Sequence, residues 1–149
     1  MHSGAARNAA SRGTSLVELL LALAIMACLA AVGVPRLAAQ LDRLGARGAT
    51  DDIVRAIAVA RRTAAGQADY AFVIIDETRG VVRVRCAGIV PWERDLAQRY
   101  GVRVVASRDS IAFAPSGLGW GAANTTIIVS RGGSVDTIVT SRLGRVRRS

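Results

Sequence analysis

The chain has 149 residues, of which 51% are hydrophobic and only 4% aromatic, and its 20 basic against 11 acidic side chains give a formal net charge of +9. That length suits one domain, and so apolar a composition excludes wholesale disorder. Two cysteines, Cys28 and Cys86, cannot build a disulfide framework, nothing near them has zinc-site spacing, and the single histidine is His2, which argues against Ser-His-Asp or Cys-His catalysis. The expectation is therefore no enzyme, no cofactor, no metal and no small-molecule substrate.

The first informative segment is Leu16 to Val34 (LVELLLALAIMACLAAVGV), nineteen residues with one charge, Glu18. As a helix rising about 1.5 Å per residue it spans roughly 28 Å, close to the hydrocarbon thickness of a bilayer. A secretory signal has a shorter apolar core, about 7–15 residues. A lipoprotein signal ending at Cys28 fits poorly with Met26 and with an acid inside the apolar run. A carboxylate at the bilayer centre costs roughly 2.5–3.5 kcal/mol, and somewhat less near the interface. Glu18 either snorkels to the interface or meets a cationic partner.

These residues resemble the type IV pilin and pseudopilin family, whose class III leader ends in Gly, runs through a Phe-Thr-Leu-Ile-Glu-like stretch and continues as an apolar helix. The matching residues are Gly13-Thr14-Ser15-Leu16-Val17-Glu18, then LLLALAIMACLAAVGV, then Pro35. The resemblance implies that a prepilin peptidase cuts between Gly13 and Thr14 on the cytoplasmic side and that Thr14 is then N-methylated. Glu18 becomes the fifth mature residue and Pro35 the twenty-second, the two positions where the family has Glu and Pro. One departure is Thr14 itself, where the family usually has Phe or Met.

The resemblance further makes Glu18 and Pro35 assembly residues. Glu18 would pair with the mature N-terminal ammonium of its own or a neighbouring subunit, since a carboxylate in low dielectric is tolerated beside an opposite charge. Arg7 and Arg12 in the leader suit a cytoplasmic N-terminus, but Arg36, Arg43 and Arg47 follow the span with only Asp42 among them. Charge thus orients the chain weakly, and it is the resemblance that implies a single pass through the bacterial inner membrane with a periplasmic C-terminal part, later incorporated in a pilus or pseudopilus.

Beyond the span, Leu37, Leu41, Leu44 and Gly48 keep one helix face apolar. Pro35 removes a helical hydrogen bond and marks a flexible point. Gly45 and Gly48 weaken the helix, and Thr50-Asp51-Asp52 reads as a fresh start with Thr50 as N-cap, which predicts a break or bend there. Ala49, Ile53, Ile57, Ala60 and Ala64 form a second stripe suited to packing on a sheet.

After Gly66 the period becomes two. Tyr70 to Asp76 and Val81 to Cys86 read as strands of a hairpin turning through Glu77-Thr78-Arg79-Gly80. Arg83 and Arg85 fall on one face of the second strand, with Val82, Val84 and Cys86 on the other, so Cys86 is a small core residue. Pro91 to Tyr100 reads as a polar surface excursion with a short helical turn. Further strands are predicted over 102–106, 110–114, 125–130, 135–140 and 145–148, with turns at Pro115-Ser116-Gly117 and Arg131-Gly132-Gly133. From residue 67 onward there are some 83 residues, few enough that the Ile53 to Ala64 helix face is needed to complete a core.

Ile111-Ala112-Phe113-Ala114-Pro115-Ser116-Gly117, the Ile127-Ile128-Val129 strand and the Gly144-Arg145-Val146-Arg147 tail are similar to the GspH/FimT group of minor pseudopilins and minor pilins. The implied fold is α+β and pilin-like: a long N-terminal helix, transmembrane and then amphipathic, packed on a small antiparallel β-sheet domain. The organisation is a prepilin leader over 1–13, a transmembrane and assembly helix over 14–35, an amphipathic helix over 36–66 and a β-rich periplasmic GspH/FimT-like domain over 67–149. The implied role is a minor subunit that initiates or caps a type II secretion pseudopilus or a type IV pilus, with the prepilin peptidase, the inner membrane and other minor and major (pseudo)pilins as partners.

Two features stay open. Gly117, Gly119 and Gly121 alternate but lack the strand, helix and acid of a dinucleotide site, and Trp120 between them is either a lid on the core or a partner contact. Five arginines against Asp136 leave residues 131–149 at net +4. Of these, Arg142, Arg145, Arg147 and Arg148 either form a solvated strand edge that discourages pairing or contact the phosphates of DNA, as in minor pilins that serve DNA uptake.

Overall fold

A computed structural model describes residues 15–121, 124–141 and 145–148. The chain divides into two compact units, one ending at Leu37 and one beginning at Ala38. Helix α1, Leu16–Gln67, contributes to both. In the first unit every described side chain is exposed, including Leu19, Leu20, Leu23, Ile25 and Met26. Apolar side chains with no partner in their own unit cannot be stabilised by burial there.

The second unit is α+β, a helix packed on antiparallel sheets. After α1 come β1 (Ala71–Asp76), β2 (Val81–Cys86), β3 (Ile89–Asp95), α2 (Leu96–Tyr100), β4 (Arg103–Ala106), β5 (Ser110–Phe113), β6 (Gly119–Trp120), β7 (Thr125–Arg131), β8 (Ser134–Thr140) and β9 (Val146–Arg148). They form a five-stranded sheet in the order β3-β2-β1-β5-β6 and a four-stranded sheet in the order β4-β7-β8-β9. The closing of one sheet by the last strands, as the sequence suggested, gives way to two sheets.

The core follows the two periodicities. Ala49, Ile53, Ala56, Ile57, Ala60 and Ala64 put one α1 stripe at full burial against Val73, Ile75, Val82, Val84, Val104, Ile111, Phe113, Ile127, Val129 and Ile138. Alanine along that stripe lets helix and strands approach closely, while the β-branched residues of the strands supply most of the buried volume. Cys86 is buried among them, as its alternation predicts.

The predicted break at Gly45 to Thr50 does not occur, since α1 runs through it without interruption. The two glycines serve close approach instead. A Cβ on Gly45 would lie 2.7 Å from Cδ of Arg131 and 3.1 Å from the Tyr100 carbonyl, and one on Gly48 would lie 2.7 Å from Cε1 of Tyr100. Thr50 is no cap: it is buried inside the helix and donates its hydroxyl to Oδ2 of Asp136 at 3.4 Å.

The predicted excursion over 91–100 is also ordered structure. β3 pairs with β2 through a bulge between Val84 and Cys86, and α2 follows it, capped by the Asp95 carboxylate, which accepts from the Gln98 N–H at 2.7 Å. Both ends of α2 are fixed: Gly101 closes it in the left-handed conformation, and the Gly80 carbonyl accepts from Leu96 N–H at 2.9 Å. Gly80 has φ +67° and a Cβ there would meet Cβ of Ala97 at 2.6 Å, so the β1–β2 turn requires glycine twice over.

Candidate functional site

Glu18 lies in the first turn of α1, exposed, one turn from the start marked by the Leu19 N–H bond to the Ser15 carbonyl at 3.1 Å. There the unpaired N–H groups of the helix end favour negative charge, typically by 0.3–1 kcal/mol. Pro35 sits inside α1, where its missing N–H leaves a helical carbonyl without a donor. Gly13 and Thr14 lie outside the described residues. The run from Leu16 to Val34 is long and apolar enough to cross a membrane, and none of it is buried in the fold.

The arginines of the C-terminus divide between two environments. β9 pairs antiparallel with β8, Arg147 opposite Val139 and Arg148 opposite Ile138. Val146 turns toward the core, so alternation sends Arg148 to the same side, where its guanidinium pairs with the Asp51 carboxylate of α1. Arg145 and Arg147 take the other parity and are exposed. Arg142 lies outside the described residues. The strand edge thus presents two of the four singled-out arginines together and assigns a third to an ion pair.

Asp51 is one of several polar contacts between α1 and the elements around it. Asp42 pairs with Arg131 at 3.2 Å, and Nη1 of Arg131 donates to the Tyr100 carbonyl at 2.5 Å. Buried Asp52 accepts from the Tyr100 hydroxyl at 2.9 Å and lies 3.6 Å from Nε of Arg94. These contacts tie the helix to α2 and to both sheets by geometry as well as by apolar area.

Sequence reasoning missed a groove on the outer face of the five-stranded sheet. About 780 Å³ in volume, it is lined by Tyr70, Phe72, Ile74, Arg85, Ser110 and Trp120 among others. Trp120 is 59% exposed and Phe72 42%, which makes Trp120 no lid on the core. The signal was in the alternation of YAFVIID: Ala71, Val73 and Ile75 are the buried set, which turns the larger Tyr70 and Phe72 outward.

No family model matches the sequence, and no curated protein matches it. Among solved structures, the type IV minor pilin FimU of Pseudomonas aeruginosa is similar in two crystal forms. One has a TM-score of 0.58 at 13% identity, covering 69% of this chain and 87% of that one. The other has a TM-score of 0.56 at 12% identity, covering 69% and 91%. The chain has a type IV pilin-like fold.

Proposed function

We propose that this chain is a minor pilin or pseudopilin subunit of the GspH/FimT type, which initiates or caps a type IV pilus or a type II secretion pseudopilus. The observation that carries this reading is the apolar run of α1 from Leu16 to Val34, unburied throughout, in a chain whose fold resembles a minor pilin. Apolar surface on that scale calls for a lipid bilayer or the packed helices of other subunits. The chain is anchored in the inner membrane with its β-rich part periplasmic, and passes from bilayer to filament without catalysis.

In this reading the prepilin peptidase cuts between Gly13 and Thr14, the new amine is methylated, and Glu18 meets an N-terminal ammonium during assembly. Pro35 provides the point at which the helix bends or locally melts on leaving the membrane. Mass spectrometry of the native chain should find Thr14 as its first residue. Glu18→Ala should leave insertion intact and lower incorporation into filaments in a complementation assay. A native start elsewhere, or normal incorporation of the variant, removes the assembly role.

A second reading, DNA capture through the C-terminal arginines, is favoured by the exposure of Arg145 and Arg147 on one side of β9. Binding to duplex DNA should then weaken with salt, with a log–log slope of about −0.9 per phosphate contacted, and lose slope in the Arg145→Gln, Arg147→Gln double variant. An unchanged slope rules it out.

A further inference from the structure

Three of the six aromatic residues, Tyr70, Phe72 and Trp120, stand together around the outer groove. The other three, Phe113, Trp92 and Tyr100, belong to the core or pack against it. Cross-strand register places the exposed set in order. Trp120 on β6 is opposite Ala112 on β5, Ala112 is opposite Phe72 on β1, and Phe72 is opposite Arg85 on β2. The backbones that carry Trp120 and Phe72 are therefore two strand spacings apart, about 9.6 Å, with Arg85 one spacing farther. Tyr70 meets Trp120 edge to face, with ring centroids 5.2 Å apart, which fixes the indole before any ligand arrives.

The groove is lined by one acid, Asp69, and one base, Arg85, and the two differ in their partners. Arg85 is exposed and has no ion pair or hydrogen bond among the described residues. Arg83, one row farther along β2, is 3.8 Å from Glu93. Asp69, at the start of β1, accepts from the Tyr70 N–H at 2.6 Å. The surface offers exposed ring faces with an unpaired guanidinium beside them, on a chain of net charge +9. The matching ligand carries planar rings and anionic groups in regular alternation, with its rings accessible.

We propose that the outer face of β6, β5, β1 and β2 binds single-stranded nucleic acid, with bases stacked on Phe72 and Trp120 and a backbone phosphate on Arg85. Exposed aromatic rings on a sheet take unpaired bases of any sequence, since every base has a π-face, and a nearby arginine adds the phosphate contact. Duplex DNA keeps its base faces stacked and cannot use the platform. The inference uses neither the filament reading nor the C-terminal arginines.

The experiment is fluorescence anisotropy of a labelled oligothymidylate of about ten nucleotides, titrated with the full chain in nonionic detergent at about 50 and 200 mM salt. Binding should weaken with salt. Phe72→Ala should lose about five- to hundredfold in affinity, and Phe72→Tyr, which keeps a ring, should retain binding. Arg85→Gln should reduce the magnitude of the log–log salt slope by about 0.7, one single-strand phosphate. The Arg145→Gln, Arg147→Gln double variant should bind within about twofold of the parent chain, since it touches no part of the platform. Absence of binding at the lower salt, parent-like binding by both Phe72→Ala and Arg85→Gln, or equal preference for duplex overturns the proposal. So does a Phe72→Ala chain that binds the oligomer normally but fails to join filaments, because the face is then a subunit interface.

Discussion

Gly48 lies directly beneath the ring of Tyr100, so that a Cβ on the glycine would stand 2.7 Å from Cε1 and 3.2 Å from Cδ1. In an exposed helix interior, replacing glycine by alanine gains about 1 kcal/mol, and at Gly66 in the last turn of the same helix, where nothing stands within 4 Å of the added methyl, the sign should hold at a smaller magnitude. At Gly48 it should reverse. The ring cannot swing away without breaking the hydroxyl bond to Asp52, and overpacking of this kind costs about 1–3 kcal/mol. Urea unfolding of the two alanine variants in detergent should show midpoints displaced in opposite directions.

The same ring supports a second prediction. Asp52 is a buried acid that receives the Tyr100 hydroxyl at 2.9 Å and has Nε of Arg94 at 3.6 Å. Tyr100→Phe keeps the ring over Gly48 and removes the hydroxyl, which donates to Asp52 and accepts from Nε of exposed Arg99 at 3.2 Å; loss of the bond to the buried carboxylate should lower stability by about 1.5–3 kcal/mol. A double-mutant cycle with Arg94→Gln should show coupling, because both donors approach one carboxylate. Additive losses would mean that Asp52 does not join them.

These contacts mark where the sequence stopped being legible. Alternation located most of the strands, and the Ala49 to Ala64 stripe is the face that packs, because burial imposes a period and leaves it in the chain. Taken locally, Gly45 and Gly48 are weak helix formers ahead of a good capping residue. Their use depends on Tyr100 and Arg131, more than fifty residues away, and no local pattern carries that distance. β3 hid for a related reason: its edge position leaves Ile89 and Val90 exposed, so it lacks the apolar alternation of a half-buried strand, and Pro91 cannot donate to a ladder. At the C-terminus the tail reads as one cluster of arginines, whereas alternation along β9 and the position of Asp51 separate Arg148 from Arg145 and Arg147.

α1 ends in a Schellman-type turn in which the Asp69 N–H reaches the Ala64 carbonyl at 3.2 Å. The residue this turn usually gives to glycine is Ala68, at φ +51°. A left-handed conformation costs a residue with a Cβ about 1–2 kcal/mol, against about 0.5–1 kcal/mol for the greater chain entropy of glycine. Ala68→Gly should therefore stabilise the chain by about 0.5–1 kcal/mol. Thermal unfolding of that variant beside Gly66→Ala, which acts on the same turn by a different route, would check the arithmetic, and a lower midpoint for Ala68→Gly would refute it.

Cys86 links the end of the helix to the sheet, with its thiol 3.6 Å from Oε1 of Gln67. Burial pushes the thiol pKa above its ordinary value of 9.0, and the Asp69 carboxylate adds to the shift, since both disfavour the thiolate. The folded chain thus holds the proton more tightly than the unfolded one. The resulting stability is complete below the ordinary thiol value and is lost as pH rises through the folded one. In a Cys28→Ser background, stability should fall as pH rises past the ordinary thiol value more steeply than in a chain that also carries Cys86→Ala, and disulfide-exchange reagents should modify Cys86 only as fast as the chain opens. Rapid modification of the folded chain at neutral pH would show that the thiol is not enclosed.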